Sequence, residues 1–409
     1  MGHGYRTPSS IFYLNSLFYL PGIKYYLMNS GATYILGFSN YILFKNIKDL
    51  TKKNIFNHIL FLSIFSLVYI NTIFVRIAEH GTDRSALILI FVMSIYYLQS
   101  VNLKKNQFNY YYFNSFYSKL ALLFAIIISL KSFYIIYLII FLLWFFQIKK
   151  FLNLNALINL VFKNYYTYLF ILFFSFTIFT TFSNTGCLIY PATFTCFDEF
   201  SWSIPLAQVD QMQLWYEQWS KAGASPNFRV ADPLTYVSKF NWVGNWIDMY
   251  FFTKVTDNIF ALILISGIVF FLFSHNCQKI KKVAFNNDYN LFYYLILFLF
   301  FEWFYNHPSL RYGGYTLLAL IFFIPISIYL SRFKFNPLIL KKKIYFILLL
   351  TLLIFVSRNM LRINKEFKQY GYNPIKGAFF NLNKVGFIIN DEVETLYKNK
   401  GKGFLIIKK

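Results

Sequence analysis

Long apolar stretches alternate with short polar connections from residue 34 to residue 356. Most of these stretches have almost no charge over a length close to the roughly 20 residues that a membrane-spanning helix needs. Lipid offers no partner for an unpaired backbone, so the pattern predicts helices. We therefore expect an all-α polytopic membrane protein with about ten transmembrane helices, at residues 31–44, 56–75, 85–102, 119–130, 133–147, 167–183, 257–275, 290–306, 315–331 and 344–357.

Two segments leave the helix assignment less simple. Lys131 separates two short apolar halves, so the alternative to two spans is one long helix with a buried lysine. Residues 9–28 are apolar but contain Pro21, Gly22 and Lys24. That mixture predicts a helix that lies in the membrane interface or enters the membrane only partway, not a full crossing.

Positive charges in the short connections indicate the orientation. Lys and Arg cluster at residues 45–53, 104–105, 149–150, 279–282 and 332–343, which predicts that these loops face the cytoplasm. The outer face then carries residues 76–84, 131–133, 183–257 and 307–314. We accordingly divide the chain into a transmembrane domain, 1–357, and an extracytoplasmic tail, 358–409. The tail is basic, but the charge rule counts short loops and does not govern long terminal segments.

Composition supports the same class. Hydrophobic residues make up 57% of the 409 residues and charged residues only 13%, an imbalance that a soluble domain of this size has no means of hiding from water. The formal net charge of +23 does not indicate nucleic-acid binding, because cytoplasmic loops of polytopic proteins collect Lys and Arg. The lipid bilayer is the expected partner, and the inner (cytoplasmic) membrane the expected location.

The longest outer connection is expected to fold. It spans roughly 70 residues, 184–256, and contains several tryptophans and prolines. Residues 203–222 read as an amphipathic helix that would rest on the membrane with Trp215 and Trp219 turned toward it. Cys187 and Cys196 lie in the same loop and would form a disulfide or remain two free thiols, alternatives that the sequence leaves open.

Candidate chemistry is confined to the outer loops, because polar residues inside the spans are isolated. The segment 302–315 has the densest set: Glu302 ends one helix, and His307 and Arg311 precede two glycines. A guanidinium at that place could clamp a phosphate with two parallel hydrogen bonds. Lys131 is costly between two apolar halves unless it reaches water or an anion. Both residues therefore predict an anionic ligand.

Several outer segments resemble a family of bacterial polytopic membrane proteins related to the GT-C glycosyltransferases, which use polyprenyl-phosphate sugars. The resemblance lies in loose motifs spread over most of the chain, at residues 4–13, 81–86, the Lys131 hairpin, 184–191, 200–205 and 303–313. It implies a glycosyltransferase that takes a sugar from a polyprenyl-phosphate carrier on the outer membrane face, for cell-surface glycan synthesis.

The resemblance also implies roles for individual residues. Lys131 and Arg311 would neutralise the carrier phosphate, and Asp83 would activate an acceptor hydroxyl or hold a divalent cation. Glu302 is the rival carboxylate and would otherwise fix Arg311. The remaining residues predicted to bind substrate belong to the matching segments: Arg6, Tyr190, Trp202 and His307.

One departure from the family keeps other functions open. GT-C enzymes have an acidic residue on the first outer loop, whereas this chain has no Asp or Glu before Asp49, which falls in a predicted cytoplasmic loop. The favoured interpretation is that an N-terminal helix and its acidic loop are missing from this sequence. The alternatives are a transporter or flippase of lipid-linked saccharides and a polysaccharide polymerase. Convergence of the outer segments on one site would favour the transferase.

Overall fold

The residues that the structure describes are mostly helical. A computed structural model describes residues 9–16, 30–75, 82–101, 110–150, 153–224, 230–275, 278–279 and 287–370. Arg6 lies outside the described residues. The helices are α1 (Ser10–Ser16), α2 (Gly31–Lys52), α3 (His58–Ile73), α4 (Thr82–Val101), α5 (Tyr110–Leu130), α6 (Leu138–Ile148), α7 (Leu154–Lys163), α8 (Tyr165–Thr185), α9 (Leu206–Lys221), α10 (Pro233–Val237), α11 (Val243–Trp246), α12 (Thr256–Ser274), α13 (Asn287–Asn306), α14 (Gly314–Leu330) and α15 (Pro337–Tyr370).

Shorter elements join these helices. Within the described residues, 3-10 segments lie at Ser132–Tyr137, Thr193–Thr195 and Leu310–Tyr312. A π-helical segment, Ile247–Val255, makes α11 and α12 one continuous helix. Two-residue strands β1 (Gln278–Lys279) and β2 (Phe333–Lys334) pair antiparallel, with Gln278 opposite Lys334.

All the predicted spans fall on helices. Within the described ranges, five helices are long and apolar enough to cross a membrane: Thr82–Val101, Tyr110–Leu130, Tyr165–Thr185, Val243–Ser274 and Pro337–Gln369. The total number of crossings stays a prediction. The helix is interrupted at Lys131, because α5 ends at Leu130 and a 3-10 helix begins at Ser132. The structure therefore has two helices there, not one long helix with a buried lysine.

The centre of the bundle is formed by α3, α4 and α14. α3 and α4 are apolar on all sides and buried along nearly their whole length, as expected for helices surrounded by other helices. Phe65 of α3 stacks on Phe323 of α14 with ring centroids 4.9 Å apart. The Tyr69 hydroxyl donates to Asn258 Oδ1 on α12 at 2.8 Å. The outer helices α8, α12 and α15 instead expose large apolar side chains, as lipid-facing helices do.

The last helix passes through the predicted domain boundary at 357/358. α15 continues without a break to Tyr370, and Arg358 donates to the carbonyl oxygen of Thr72 near the end of α3. Residues 358–370 thus belong to a helix that packs on the bundle, and the rest of the predicted tail lies outside the described residues.

The segment between α8 and α11 contains its own small core. A disulfide joins Cys187 to Cys196, so of the two alternatives left by the sequence the bridge is the one observed. Cys187 packs with Tyr190 and with Val209 and Met212 of α9. The amphipathic helix predicted at residues 203–222 is observed as α9.

Several helix ends meet at one end of the bundle. α4 begins there, α5 ends there, and the turn between α13 and α14 lies beside them. α1 is fixed to the same end, because the Ser9 hydroxyl donates to the carbonyl oxygen of Leu130 at 2.6 Å and the amide of Gly31 donates to Asn15 Oδ1 at 2.7 Å. The candidate site lies at this end.

Candidate functional site

Two cations from distant parts of the chain meet at the carboxylate of Asp83. Lys131 Nζ lies 2.6 Å from Asp83 Oδ1. Arg311 donates through Nε and Nη2 to Asp83 Oδ2, at 3.0 and 2.8 Å. These residues are 48 and 228 positions from Asp83 in sequence. Asp83, Lys131 and Arg311, to which the sequence assigned roles in one site, are thus close together, and we call the three residues the charge triad.

Local structure positions each member of the triad. Asp83 lies in the first turn of α4, and Lys131 is extended between α5 and the 3-10 segment that follows it. Arg311 lies in the 3-10 turn Leu310–Tyr312, and its carbonyl oxygen accepts a hydrogen bond from the Tyr134 hydroxyl at 3.0 Å.

Aromatic side chains hold the turn that carries Arg311. Trp303 Nε1 donates to the carbonyl oxygen of Ser309 at 2.8 Å, and Trp246 Nε1 donates to that of Pro308 at 2.9 Å. The amide of Leu310 donates to the Tyr250 hydroxyl at 3.0 Å. These bonds satisfy the polar backbone of a buried turn and fix the direction of Arg311.

The carboxylate of the triad is buried, whereas its two cations are partly exposed to solvent. The Asp83 side chain is 5% exposed, whereas those of Lys131 and Arg311 are 28% and 51% exposed. Two cations on one carboxylate leave a net charge of +1. In the part of the chain that the structure describes, Arg311 Nη1 has no hydrogen-bond partner. Burial lowers the pKa of Lys131, and the neighbouring Asp83 opposes that shift.

Aromatic rings pack against the two cations of the triad. Lys131 Nζ lies 4.2 Å from the centroid of the Tyr312 ring. Arg311 Cζ lies 5.6 Å from the Trp219 ring and 5.7 Å from the Tyr312 ring. Trp219 was predicted to face the membrane, but it packs on Arg311 and Tyr312 instead. The spacing of the tryptophans on α9 indicated an apolar face, but it could not tell a face that rests on the membrane from one that packs on the protein.

His307 lies beside the triad. Its ring packs edge-on against Phe133 at 5.1 Å and Tyr312 at 6.0 Å. Burial, followed by the nearby positive charges of Lys221 and Lys131, lowers the pKa of His307 to about 4, so the ring is neutral at pH 7. Its Nδ1 is buried and makes no hydrogen bond within the described residues.

Glu302 does not fix Arg311, which corrects the sequence prediction. Its carboxylate accepts a hydrogen bond from Asn306 Nδ2, one turn further along α13, at 3.0 Å. The reason is that the turn after α13 directs Arg311 toward α4, where Asp83 lies. Glu302 remains half-buried and outside the ion pairs that the structure describes.

Two predicted substrate-binding residues lie elsewhere. Trp202 packs against Phe182 and Phe200, at centroid distances of 5.3 and 5.1 Å. Tyr190 belongs to the small core of the disulfide segment. The structure therefore brings Asp83, Lys131, Arg311 and His307 together and leaves Trp202 and Tyr190 in a neighbouring unit.

The predicted metal role of Asp83 does not fit its surroundings. Both carboxylate oxygens are held by cations, which compete with a metal ion for the same lone pairs. Across the described ranges, no three His, Cys, Asp or Glu side chains lie close enough together to hold a metal ion. Asp83 is better explained as the counter-ion that orients Lys131 and Arg311.

Comparison with known proteins gives a family. Residues 6–318 match the family model described as a domain of unknown function, DUF8201. The chain belongs to the DUF8201 family. The DUF8201 match contains every member of the charge triad and ends within α14. No curated protein and no solved structure matches the chain.

Proposed function

We propose that this DUF8201 protein is a membrane glycosyltransferase that takes a sugar from a polyprenyl-phosphate carrier. It would act at the outer face of the cytoplasmic membrane, in cell-surface glycan synthesis. The observation that supports the proposal is the meeting of Lys131 and Arg311 on the buried carboxylate of Asp83. Segments that are far apart in sequence converge there, as a transferase site requires.

The triad has the charge and the free donors to bind a phosphate. Asp83 takes Nε and Nη2 of Arg311 and leaves Nη1 for a phosphate oxygen, while Lys131 supplies a second cation beside it. Negative charge grows on the carrier phosphate as the bond from the sugar C1 to the phosphate oxygen breaks. Cations fixed in advance at that place stabilise the transition state more than the ground state.

Glu302 is the carboxylate that we assign to the acceptor. The acceptor hydroxyl attacks C1, its proton passes to Glu302, and the polyprenyl phosphate leaves with the electron pair of the broken bond. Glu302 is suited to this because only Asn306 among the described residues hydrogen-bonds it, and it lies near the end of the helix whose following turn carries Arg311. Asp83, with both oxygens occupied, is assigned to orientation.

A transfer assay tests the proposal. Protein in lipid nanodiscs would be given polyprenyl phosphates bearing radiolabelled glucose, mannose or N-acetylglucosamine, together with lipid extract as the source of acceptor. Arg311→Ala should lower the transfer rate by about 100-fold or more, as loss of one transition-state donor does. Arg311→Lys should restore little, because an ammonium lacks the planar fork that holds Asp83 while a further nitrogen faces the phosphate.

The matched control is Arg362→Ala, which removes an arginine from an exposed pair with Glu366 on α15 and should leave transfer unchanged. Transfer at the wild-type rate by Arg311→Ala would contradict the assigned site. Movement of the sugar-bearing carrier across the bilayer without transfer would instead indicate a flippase.

A further inference from the structure

Helix α9 presents a stripe of amide and aromatic side chains that ends at the charge triad. Gln208, Gln211, Trp215 and Trp219 follow one another at spacings of three, four and four residues, which places them on one face of the helix. The two glutamines are exposed and the two tryptophans are half-buried. We call these four residues the α9 stripe.

The aromatic rings of the α9 stripe reach the triad, because Trp219 packs against Arg311. Trp215 and Trp219 lie nearly parallel, with centroids 6.4 Å apart and planes inclined by 26°. Trp219 meets the Tyr312 ring at 5.8 Å, and Arg311 Cζ lies 5.6 Å from the Trp219 centroid. Two aromatic faces therefore lead directly to the guanidinium that we assign to the carrier phosphate.

α9 is fixed at both of its ends. Near the start, Val209 and Met212 pack with Cys187 in the disulfide core. At the end, the buried ammonium of Lys221 donates to Glu217 and, at 2.8 Å, to the carbonyl oxygen of Val237. A stripe held in this way loses little conformational freedom when a ligand binds to it.

We propose that the α9 stripe is the saccharide subsite of this protein. The C–H groups on one face of a pyranose ring carry a slight positive charge and suit the negative face of an indole. A sugar joined to a phosphate at Arg311 lies within reach of Trp219, and a second ring lies on Trp215. Gln208 and Gln211 offer donors and acceptors to sugar hydroxyls. The assignment rests on the proposed function for the phosphate at Arg311, and continuity of the stripe with that cation favours a saccharide over lipid as its occupant.

Affinities for short carriers with and without a sugar distinguish the contribution of the sugar to binding from that of the phosphate. The probes are farnesyl phosphate and the farnesyl phosphates of glucose, mannose and N-acetylglucosamine, titrated into protein in nanodiscs. At least one sugar-bearing probe should bind the wild type more tightly than farnesyl phosphate does. Trp215→Ala should weaken the affinity for that sugar-bearing probe by about tenfold and leave the affinity for farnesyl phosphate unchanged. Trp215 is the variant of choice because Trp219 lies against Arg311.

Two further variants control for structure. Trp215→Phe keeps an aromatic face and should retain most of the gain. Phe194→Ala removes an aromatic side chain that is 89% exposed in the disulfide segment, and it should bind all four probes as the wild type does.

The outcomes distinguish this subsite from the proposed function. A sugar gain that survives in Trp215→Ala, or no gain in the wild type, overturns the subsite. A Trp215→Ala protein that loses both the sugar gain and farnesyl phosphate binding also overturns the subsite, because Trp215 would then act through Arg311. Sugar-bearing probes that bind through Trp215 while farnesyl phosphate fails to bind support the subsite and overturn the carrier proposal.

Discussion

Asp83 lies where three favourable effects meet. It is in the first turn of α4, where the helix dipole favours a negative charge, and it pairs with both Lys131 and Arg311. A carboxylate that is 5% exposed is stable only with such partners. Removing its charge leaves two cations side by side.

Asp83→Asn should therefore destabilise the protein by roughly 2–4 kcal/mol, because breaking a buried pair leaves uncompensated charges. Thermal unfolding in detergent measures the change. Glu366→Gln, which breaks the exposed pair with Arg362, should cost about 0.5 kcal/mol or less. Equal effects from the two variants would mean that the triad contributes no more than a surface pair.

His307 gives a pH dependence of stability. Its pKa is about 4 in the folded protein, below the ordinary value of 6.5, so the unfolded chain binds more protons between these values. Stability should then fall as the pH is lowered from 6.5 to 4. We expect the melting temperature of the wild type to drop by a few degrees more over that range than that of His307→Gln. Parallel curves for the two proteins would assign the pH dependence to other groups.

Sequence reasoning found some of these residues and mispaired others. Lys131 and Arg311 stood out because a charge beside apolar spans needs a partner, and the partner is Asp83. The predicted link of Glu302 to Arg311 was wrong. The direction of Arg311 depends on the hydrogen bonds that the turn makes with Trp246, which donates to Pro308, and with Tyr250, which accepts from Leu310; both residues belong to an element about 60 residues away in sequence.

At the scale of elements, the turn between α13 and α14 depends on two glycines. Gly313 has φ +140°, a conformation that other residues rarely adopt, and Gly314 lies against the Trp303 ring. A Cβ on Gly314 would lie 2.4 Å from Trp303 Cζ2. The close approach keeps Trp303 in place to hold the carbonyl oxygen of Ser309.

Gly314→Ala should lower stability by about 1–3 kcal/mol, since the ring and the start of α14 must move apart. It should also weaken phosphate binding at Arg311, because Trp303 positions that turn. Gly267→Ala, with nothing within 4 Å of the new methyl group, should be neutral or slightly stabilising. Unfolding curves and farnesyl phosphate titrations of both variants check the prediction. A Gly314→Ala protein as stable as Gly267→Ala would contradict the close approach.

Elements were easier to predict than their contacts. The pattern of apolar stretches placed a helix at each predicted span, including the interruption at Lys131, but the ends of α2 and α5 differ from the predicted ends by eight or nine residues. It did not indicate that α15 continues to Tyr370, because the basic residues after Arg358 resemble a tail. It also did not show what Trp219 contacts, since a helix pattern identifies a face but not its partner.

At the scale of the whole molecule, the ends of α4, α5 and α13 lie together, as the predicted orientation requires for one outer face. Single cysteines at Lys52 and Lys342 should react only from the cytoplasmic side, and those at Trp215 and His307 only from outside. Impermeant maleimides on cells and on inverted vesicles measure this, in a Cys277→Ser background. Labelling of both sets from one side would contradict the orientation.

The most direct test of the phosphate site is a cryo-electron microscopy structure of the protein in nanodiscs with a bound polyprenyl phosphate. We predict phosphate density within hydrogen-bond distance of Arg311 Nη1 and beside Lys131 Nζ, with Asp83 still holding both cations. Carrier density elsewhere, with the triad making no contact to the phosphate, would contradict the account.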